Sequence, residues 1–361
     1  MTSKEWLLIP LFDQFIKDSY KGKRLKADGS KIKPQTIANH EYVLRYLKEY
    51  ETKNGSQIRI KIFKGTNQRL FASEKNYWRK FYEGFTNYLY KDKGCFDNYV
   101  GTVIKTIRIF FNWLNKDRGI ATGDFHRNFY VCKEEVPIVT LMPEQLDFLI
   151  NDSVFNNSLS KTLLKSKSIF IFGCTVALRV SDLFSLQFTD VSQTGSSYYL
   201  KVKTMKTGSI VRFKLPLYAV QIIEQFKQTA RRRKTIFPPI PPSRFNNHVK
   251  EIAALAGWTE PIGKSRTKKG VDIECKRKQQ ENTTGNNVAI YRFCDLVSSH
   301  TMRRTAITTM LMLGMKEHVV KQLSGHAGNS KSFYRYVNLV QPYVDNEYDK
   351  VWSRFEPSAS S

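Results

Sequence analysis

The chain has 361 residues, with 58 Lys and Arg against 32 Asp and Glu and a net charge of +26. Its 41% apolar and 25% charged residues fit a globular chain long enough for two cored domains, and exclude a fibre, a disordered tail and a small disulfide-stapled scaffold. The positive excess points to a polyanionic partner, and nucleic acid stands ahead of a membrane surface because the sequence holds no bilayer-spanning apolar run, basic amphipathic anchor or lipidation signal.

Five scattered cysteines (Cys95, Cys132, Cys174, Cys275 and Cys294) offer neither a CxxC zinc site nor an even disulfide framework. The start MTSKEWLLIPLFDQF lacks the basic, apolar and cleavage regions of a signal peptide, so the expected location is cytoplasmic.

In chain order, Trp6 to Tyr20 reads as a first helix, with Trp6, Ile9, Phe12, Phe15 and Ile16 as its apolar members. A basic loop over 21–33 leads to a helix begun by Pro34 and Thr36. Ile58, Ile60 and Ile62 alternate with basic residues, which fits a short strand or an extended connection. Asn76 to Lys91 carries Trp78, Phe81, Phe85, Tyr88 and Leu89 at helical spacing, and Gly94 ends it. Asp97 is a candidate cap for the next helix, marked by Val103, Ile107, Phe110, Phe111 and Leu114. These aromatic stripes read as core packing, so residues 1–120 form a small helical domain. Periodicity fails over Asp117 to Val139, and residues 121–140 are taken as a linker.

The second domain covers 141–356. A helix opens it at Met142 to Ile150 with Pro143 in its first turn. Leu163 to Ala177 is apolar nearly all round and reads as a buried helix. Arg179 stands at its end, with Asp182 and Asp190 as possible salt-bridge partners and Ser181 as a candidate cap. Tyr198 to Lys203 and Ile210 to Leu215 alternate about a Lys206-Thr207-Gly208-Ser209 turn, the pattern of a β-hairpin. Leu217 to Lys234 reads as a helix with cations at its C-terminus, and Phe245 to Ala256 as another. Residues 267–287 are polar and lysine-rich, an exposed hairpin or loop. Gly257 and Gly263-Lys264-Ser265 miss the spacing of a phosphate-binding loop and follow no strand. Ser298 or Ser299 caps a helix running to Leu313, with Gly314 as its stop. Gln341 to Phe355 is amphipathic and reads as a last helix, and 357–361 as a flexible tail. The fold class is therefore mainly α with a small β-sheet or hairpin.

Chemistry concentrates in SSHTMRRTAITTMLMLGMKEHVVKQLSGHAGNSKSFYRYV, residues 298–337. His300 and Arg303 lie three apart, on one face of a first helical turn whose free N–H groups suit a phosphate. His326 follows Gly325, and Tyr334 and Tyr336 come after it. Arginine grips phosphate oxygens in two-point contacts, histidine moves protons near neutrality, and a tyrosine hydroxyl can serve as a covalent nucleophile.

These segments resemble the tyrosine recombinases, the integrases of phages and conjugative elements. ALRVSDLFSL resembles their first arginine box, HTMRRTAITTMLMLG their His-x-x-Arg box, and LSGHAGNSKSFYRYV their Leu-x-Gly-His…Tyr box, all in family order. The resemblance implies an N-terminal core-binding domain that clamps DNA, and an α+β catalytic domain. It implies metal- and ATP-independent cutting and rejoining of DNA strands through a 3′-phosphotyrosyl link, with no cofactor. Arg179 and Arg303 would clamp the scissile phosphate, His300 would assist proton transfer and His326 would hydrogen-bond the phosphate. Lys206, with Lys203 as the second choice, would protonate the leaving 5′-oxygen. The nucleophile is Tyr334 or Tyr336, with Tyr334 favoured by the Phe333-Tyr334 pair. The implied partner is duplex DNA with specific recombination sites, bound by a tetramer joined through the C-terminal helix, in a bacterial or phage-type setting near the nucleoid. A type IB topoisomerase and a non-catalytic DNA-binding protein are the competing readings.

Overall fold

The structure is a computed structural model, and it describes residues 5–62, 68–206, 208–278, 288–326, 330–337, 339–340, 344–345 and 347–349. The chain divides into two compact units, one of residues 1–136 with 265–275, the other of residues 137–264 with 276–361.

The first unit opens with a strand. β1 (Glu5–Leu7) pairs antiparallel with β2 (Arg59–Lys61), setting Trp6 opposite Ile60. Trp6 therefore belongs to a strand, and the helix expected from it, α1 (Leu8–Tyr20), begins at Leu8. α2 (Pro34–Asn54) has Pro34 in its first turn and ends at Gly55 in the left-handed region. α3 (Gln68–Lys91) starts about two turns before the aromatic stripe that marks it. α4 (Asp97–Lys116) is capped by Phe96, so Asp97 is its first residue and not its cap. Phe12, Phe15, Trp78, Phe81, Phe85, Phe110 and Phe111 fill the core between these helices, as the spacing predicts.

The second unit begins with α5 (Pro143–Asn151) and the short α6 (Ser153–Ser158). The buried helix α7 (Lys161–Val176) follows, capped by the Ser160 side chain and ended by Ala177 at φ 49°. α8 (Val180–Ser185) starts directly after Arg179, which is its cap position, so Ser181 lies inside the helix. The expected hairpin is part of a three-stranded antiparallel sheet of β3 (Val191–Thr194), β4 (Ser197–Lys203) and β5 (Ile210–Leu215). β3 escapes sequence reading because three of its four residues are exposed and show no alternation. α9 (Leu217–Gln228) stops before the arginine run. Arg233 there folds back to donate to the carbonyls of Thr235 and Ile236 at 2.8 and 2.9 Å, so the run does not end a helix as expected. α10 (Pro242–Leu255) uses Pro242 in its first turn.

The next hairpin, β6 (Ser265–Lys268) with β7 (Val271–Glu274), belongs by its contacts to the first unit. β8 (Arg277–Lys278) pairs with β9 (Val288–Ala289), and the stretch between them lies outside the described residues. Among the described residues the second unit continues with α11 (Phe293–Leu296), α12 (Ser299–Met312), α13 (Glu317–Leu323) and α14 (Lys331–Val337). Most of the expected last helix, and all of the tail, lie outside the described residues.

α7 and α12 pack closely because Gly173 has no side chain. A Cβ there would collide with the Met302 thioether. Beneath α12, the residues Ala306, Ile307, Leu311, Val320, Phe333, Tyr336 and Val340 form a separate apolar cluster that seats α13 and α14. Among the described residues no helix is long and apolar enough to cross a membrane.

Candidate active site

Arg303 is the centre of the site. It lies on the first turns of α12 and is 3% exposed, although arginine is rarely buried without partners. Nη1 donates to the Ala177 carbonyl at 2.7 Å and Nη2 to the Ser324 carbonyl at 2.7 Å. Those acceptors are the end residues of α7 and α13, where helix carbonyls lack intrahelical partners. The same Nη2 lies 3.4 Å from the His326 ring. Burial first, then the charge of Arg179, pushes the Arg303 pKa down to about 10, so the group stays cationic at neutral pH.

Arg179 comes two residues after Ala177, and this backbone link brings the two arginines together. It makes no ion pair with Asp182 or Asp190. Its Nη1 is buried and has no hydrogen-bond partner. A buried, cationic donor left unpaired is costly unless an acceptor arrives from outside.

His326 is set by Gly325, whose φ of 61° turns the chain at the end of α13. The Ser324 hydroxyl lies 2.7 Å from His326 Nδ1 and also bonds the Val320 carbonyl at 2.6 Å. The ring stands edge-on to Phe333 and 6.0 Å from the Tyr336 ring. Burial, then Arg303 and Arg179, pushes its pKa down to about 4. His300 sits in the first turn of α12. Desolvation, then the cations Arg304, Arg303, Arg179 and Lys206, takes it also to about 4. Both imidazoles are neutral at pH 7 and keep an acceptor nitrogen.

Lys206 is exposed on the β4–β5 turn, close enough for its charge to act on His300. The turn is fixed from below: the Met205 N–H donates to Asp182 Oδ1 at 2.9 Å, and Asp182 is 1% exposed. Lys203 ends β4 opposite Ile210 with its side chain exposed.

The two tyrosines separate sharply. Tyr334 is 46% exposed, and its hydroxyl accepts from Lys321 Nζ at 3.1 Å. Tyr336 is 7% exposed and lies within the apolar cluster under α12, where its phenol interacts with Arg303 and Arg304. The structure thus brings together Arg179, Arg303, His300, His326, Lys206 and Tyr336, and turns Tyr334 toward Lys321.

Asp182 is legible in the sequence only as a possible salt-bridge partner of Arg179, and Ser324 and Arg304 do not stand out as site residues. The first two carry a signal in hindsight, because Asp182 lies in the first arginine box and Ser324 between Leu323 and Gly325 of the last box. Arg304 follows Arg303 on α12. It is half-buried, with an Nε that has no hydrogen-bond partner, and burial lowers its pKa.

Two arginines, two neutral imidazoles, an exposed lysine and a phenol thus lie together in the second unit. The chain matches the Phage integrase family over residues 143–341, and it belongs to that family. It is a tyrosine-type site-specific DNA recombinase. No curated protein matches it in sequence. Its fold is similar to that of the Tn1549 transposon integrase solved with transposon right end DNA, at 13% identity and a TM-score of 0.58, covering 96% of this chain and 99% of that one. It is similar to the XerH recombinase in a post-cleavage complex on a palindromic substrate, at 12% identity and a TM-score of 0.56, covering 96% of each chain. It is also similar to a lambda integrase tetramer bound to a Holliday junction, at 13% identity and a TM-score of 0.55, covering 93% of this chain and 78% of that one.

Proposed function

We propose that the scissile phosphate of a duplex DNA site binds between Arg179 and Arg303, and that Tyr336 is the nucleophile. The observation that carries this reading is the junction of Arg303, His326 and Tyr336 beside the unpaired Nη1 of Arg179. The two guanidinium groups stabilise the charge that develops on the non-bridging oxygens. Neutral His300 and His326 each retain an acceptor nitrogen, which can take the proton that the Tyr336 hydroxyl gives up on attack. Attack forms a tyrosyl–phosphate bond to the 3′ side and breaks the bond to the 5′-oxygen, which takes a proton from Lys206. A 5′-hydroxyl from a second duplex then displaces the tyrosine and restores the phosphodiester.

The first compact unit acts as the DNA-clamping domain and the second as the catalytic domain. The protein assembles as a tetramer on its recombination sites through the segment after Gln341, in the cytoplasm and beside the nucleoid. The +26 charge and the likeness to a lambda integrase tetramer on a Holliday junction support this assembly.

The test is a nicked suicide substrate that traps the covalent adduct, followed by peptide mapping of the modified residue. We expect the adduct on Tyr336, with Tyr336→Phe binding DNA normally and trapping nothing. An adduct on Tyr334, or an active Tyr336→Phe, overturns the assignment.

A further inference from the structure

The hairpin β6–β7 leaves the chain between α10 and α11 of the second unit, yet its partners lie in the first. Asp97 is 4% exposed, and its carboxylate accepts the backbone N–H of Lys269 at 2.8 Å and of Gly270 at 3.0 Å, the two residues of the hairpin tip. The Tyr90 hydroxyl donates to the same carboxylate at 2.6 Å. Glu134 has a side chain 1% exposed and accepts from Arg266 Nε at 2.8 Å, and also from the Thr267 N–H. Lys269 Nζ reaches Asn87 at 2.9 Å, and Arg266 lies over the Phe96 ring. Lys269 and Gly270 have φ of 54° and 76°, the left-handed pair that a two-residue turn of this kind requires.

A buried carboxylate without donors is strongly unfavourable, and residues 1–136 leave both of these carboxylates short of the donors that the hairpin supplies. The geometry points to a docking cradle, built from Asp97 and Glu134, whose occupant is the turn at Lys269-Gly270 of the same chain. By this contact the polypeptide after Pro137 holds the polypeptide before it without relying on the covalent connection at 136–137. The inference does not depend on the chemistry proposed for the active site, so its test reads no recombination.

A protease recognition site placed between Val136 and Pro137 of the full chain allows the connection to be cut in the folded protein. The two fragments should then co-elute in gel filtration and separate in denaturant. After the same cut, the tip variant Arg266→Ala/Gly270→Pro, which leaves α3 and α4 untouched, should release residues 1–136. Separation of the cut wild-type chain overturns the proposal, and so does a cut variant that stays together. A measurement on the uncut protein guards against misfolding of the variant. The Lys269 and Gly270 amides should exchange about a hundredfold more slowly than in a free hairpin, and exchange at the free rate overturns the proposal as well.

Discussion

Arg303 Nη1 and the Ala177 carbonyl meet at 2.7 Å across 126 residues of sequence. Ala177 ends α7 in a left-handed conformation, and that turn both exposes its carbonyl and delivers Arg179 beside Arg303. One hydrogen bond thus joins the two arginine boxes, and it assigns their arginines different structural duties.

The first prediction follows from that asymmetry. Arg303 satisfies two buried carbonyls, so Arg303→Ala should destabilise the second unit by about 2–4 kcal/mol, from unpaired acceptors and lost packing. Arg179 has a buried Nη1 with no partner, so Arg179→Ala should leave stability unchanged or raise it slightly. Each variant should lose about 100-fold or more in cleavage, the usual effect of removing one preorganised charge donor. Thermal melts and suicide-substrate cleavage on both proteins check this. Equal destabilisation by the two substitutions would contradict it.

Much of this was legible because it is local. Three contiguous boxes carry the arginines and histidines, and the apolar spacing of α1, α4 and α7 marks buried faces at helical period. The parts that were not legible depend on tertiary contacts. Trp6 continues the apolar stripe of α1, and only its pairing opposite Ile60 makes it a strand residue. Asp97 stands where a cap is expected, yet its carboxylate is taken by a hairpin tip from residues 269–270. Tyr334 and Tyr336 fall one residue short of and one residue beyond the family's usual spacing after His326, and what separates them is the docking of α14, which buries Phe333 and Tyr336 and leaves Tyr334 outside.

The second prediction concerns pH. His300 and His326 are held down to about 4, against 6.5 for a free imidazole. Between those values the unfolded chain binds protons that the folded chain refuses. Stability is therefore full above about pH 6.5 and falls as pH drops toward about 4. His40, in the first unit, is pushed down to about 4 by its own burial, so the comparison of variants carries the test. His300→Gln/His326→Gln should flatten the loss, by about 1 kcal/mol for the half-buried His326 and by less for the exposed His300, once solvent screening is allowed for. Inorganic phosphate should do the same in the wild-type protein, by screening the arginines and raising both pKa values. Melts from pH 4 to 8 check this, and an unchanged pH profile in the double variant would refute the account.

The last prediction concerns the Lys206 turn. Asp182 is buried, and through Oδ1 it holds the Met205 N–H, one residue before the lysine. If this contact positions Lys206 to protonate the leaving 5′-oxygen, Lys206→Ala and Asp182→Ala should both slow cleavage, the first by about 100-fold or more and the second by less. A substrate whose 5′-bridging oxygen is replaced by sulfur leaves without needing that proton. It should restore Lys206→Ala to near the wild-type rate and recover most of the loss in Asp182→Ala. Arg179→Ala should gain nothing from the sulfur substrate, because its defect lies in charge on the non-bridging oxygens. Lys203→Ala, at the end of β4 and facing solvent, should cleave the ordinary substrate normally. Rescue of Lys203→Ala in place of Lys206→Ala would move the acid three residues back, to the end of β4. Failure of the sulfur substrate to help Asp182→Ala would mean that Asp182 acts through the charge of Arg303, on which its carboxylate also bears, and not through the turn.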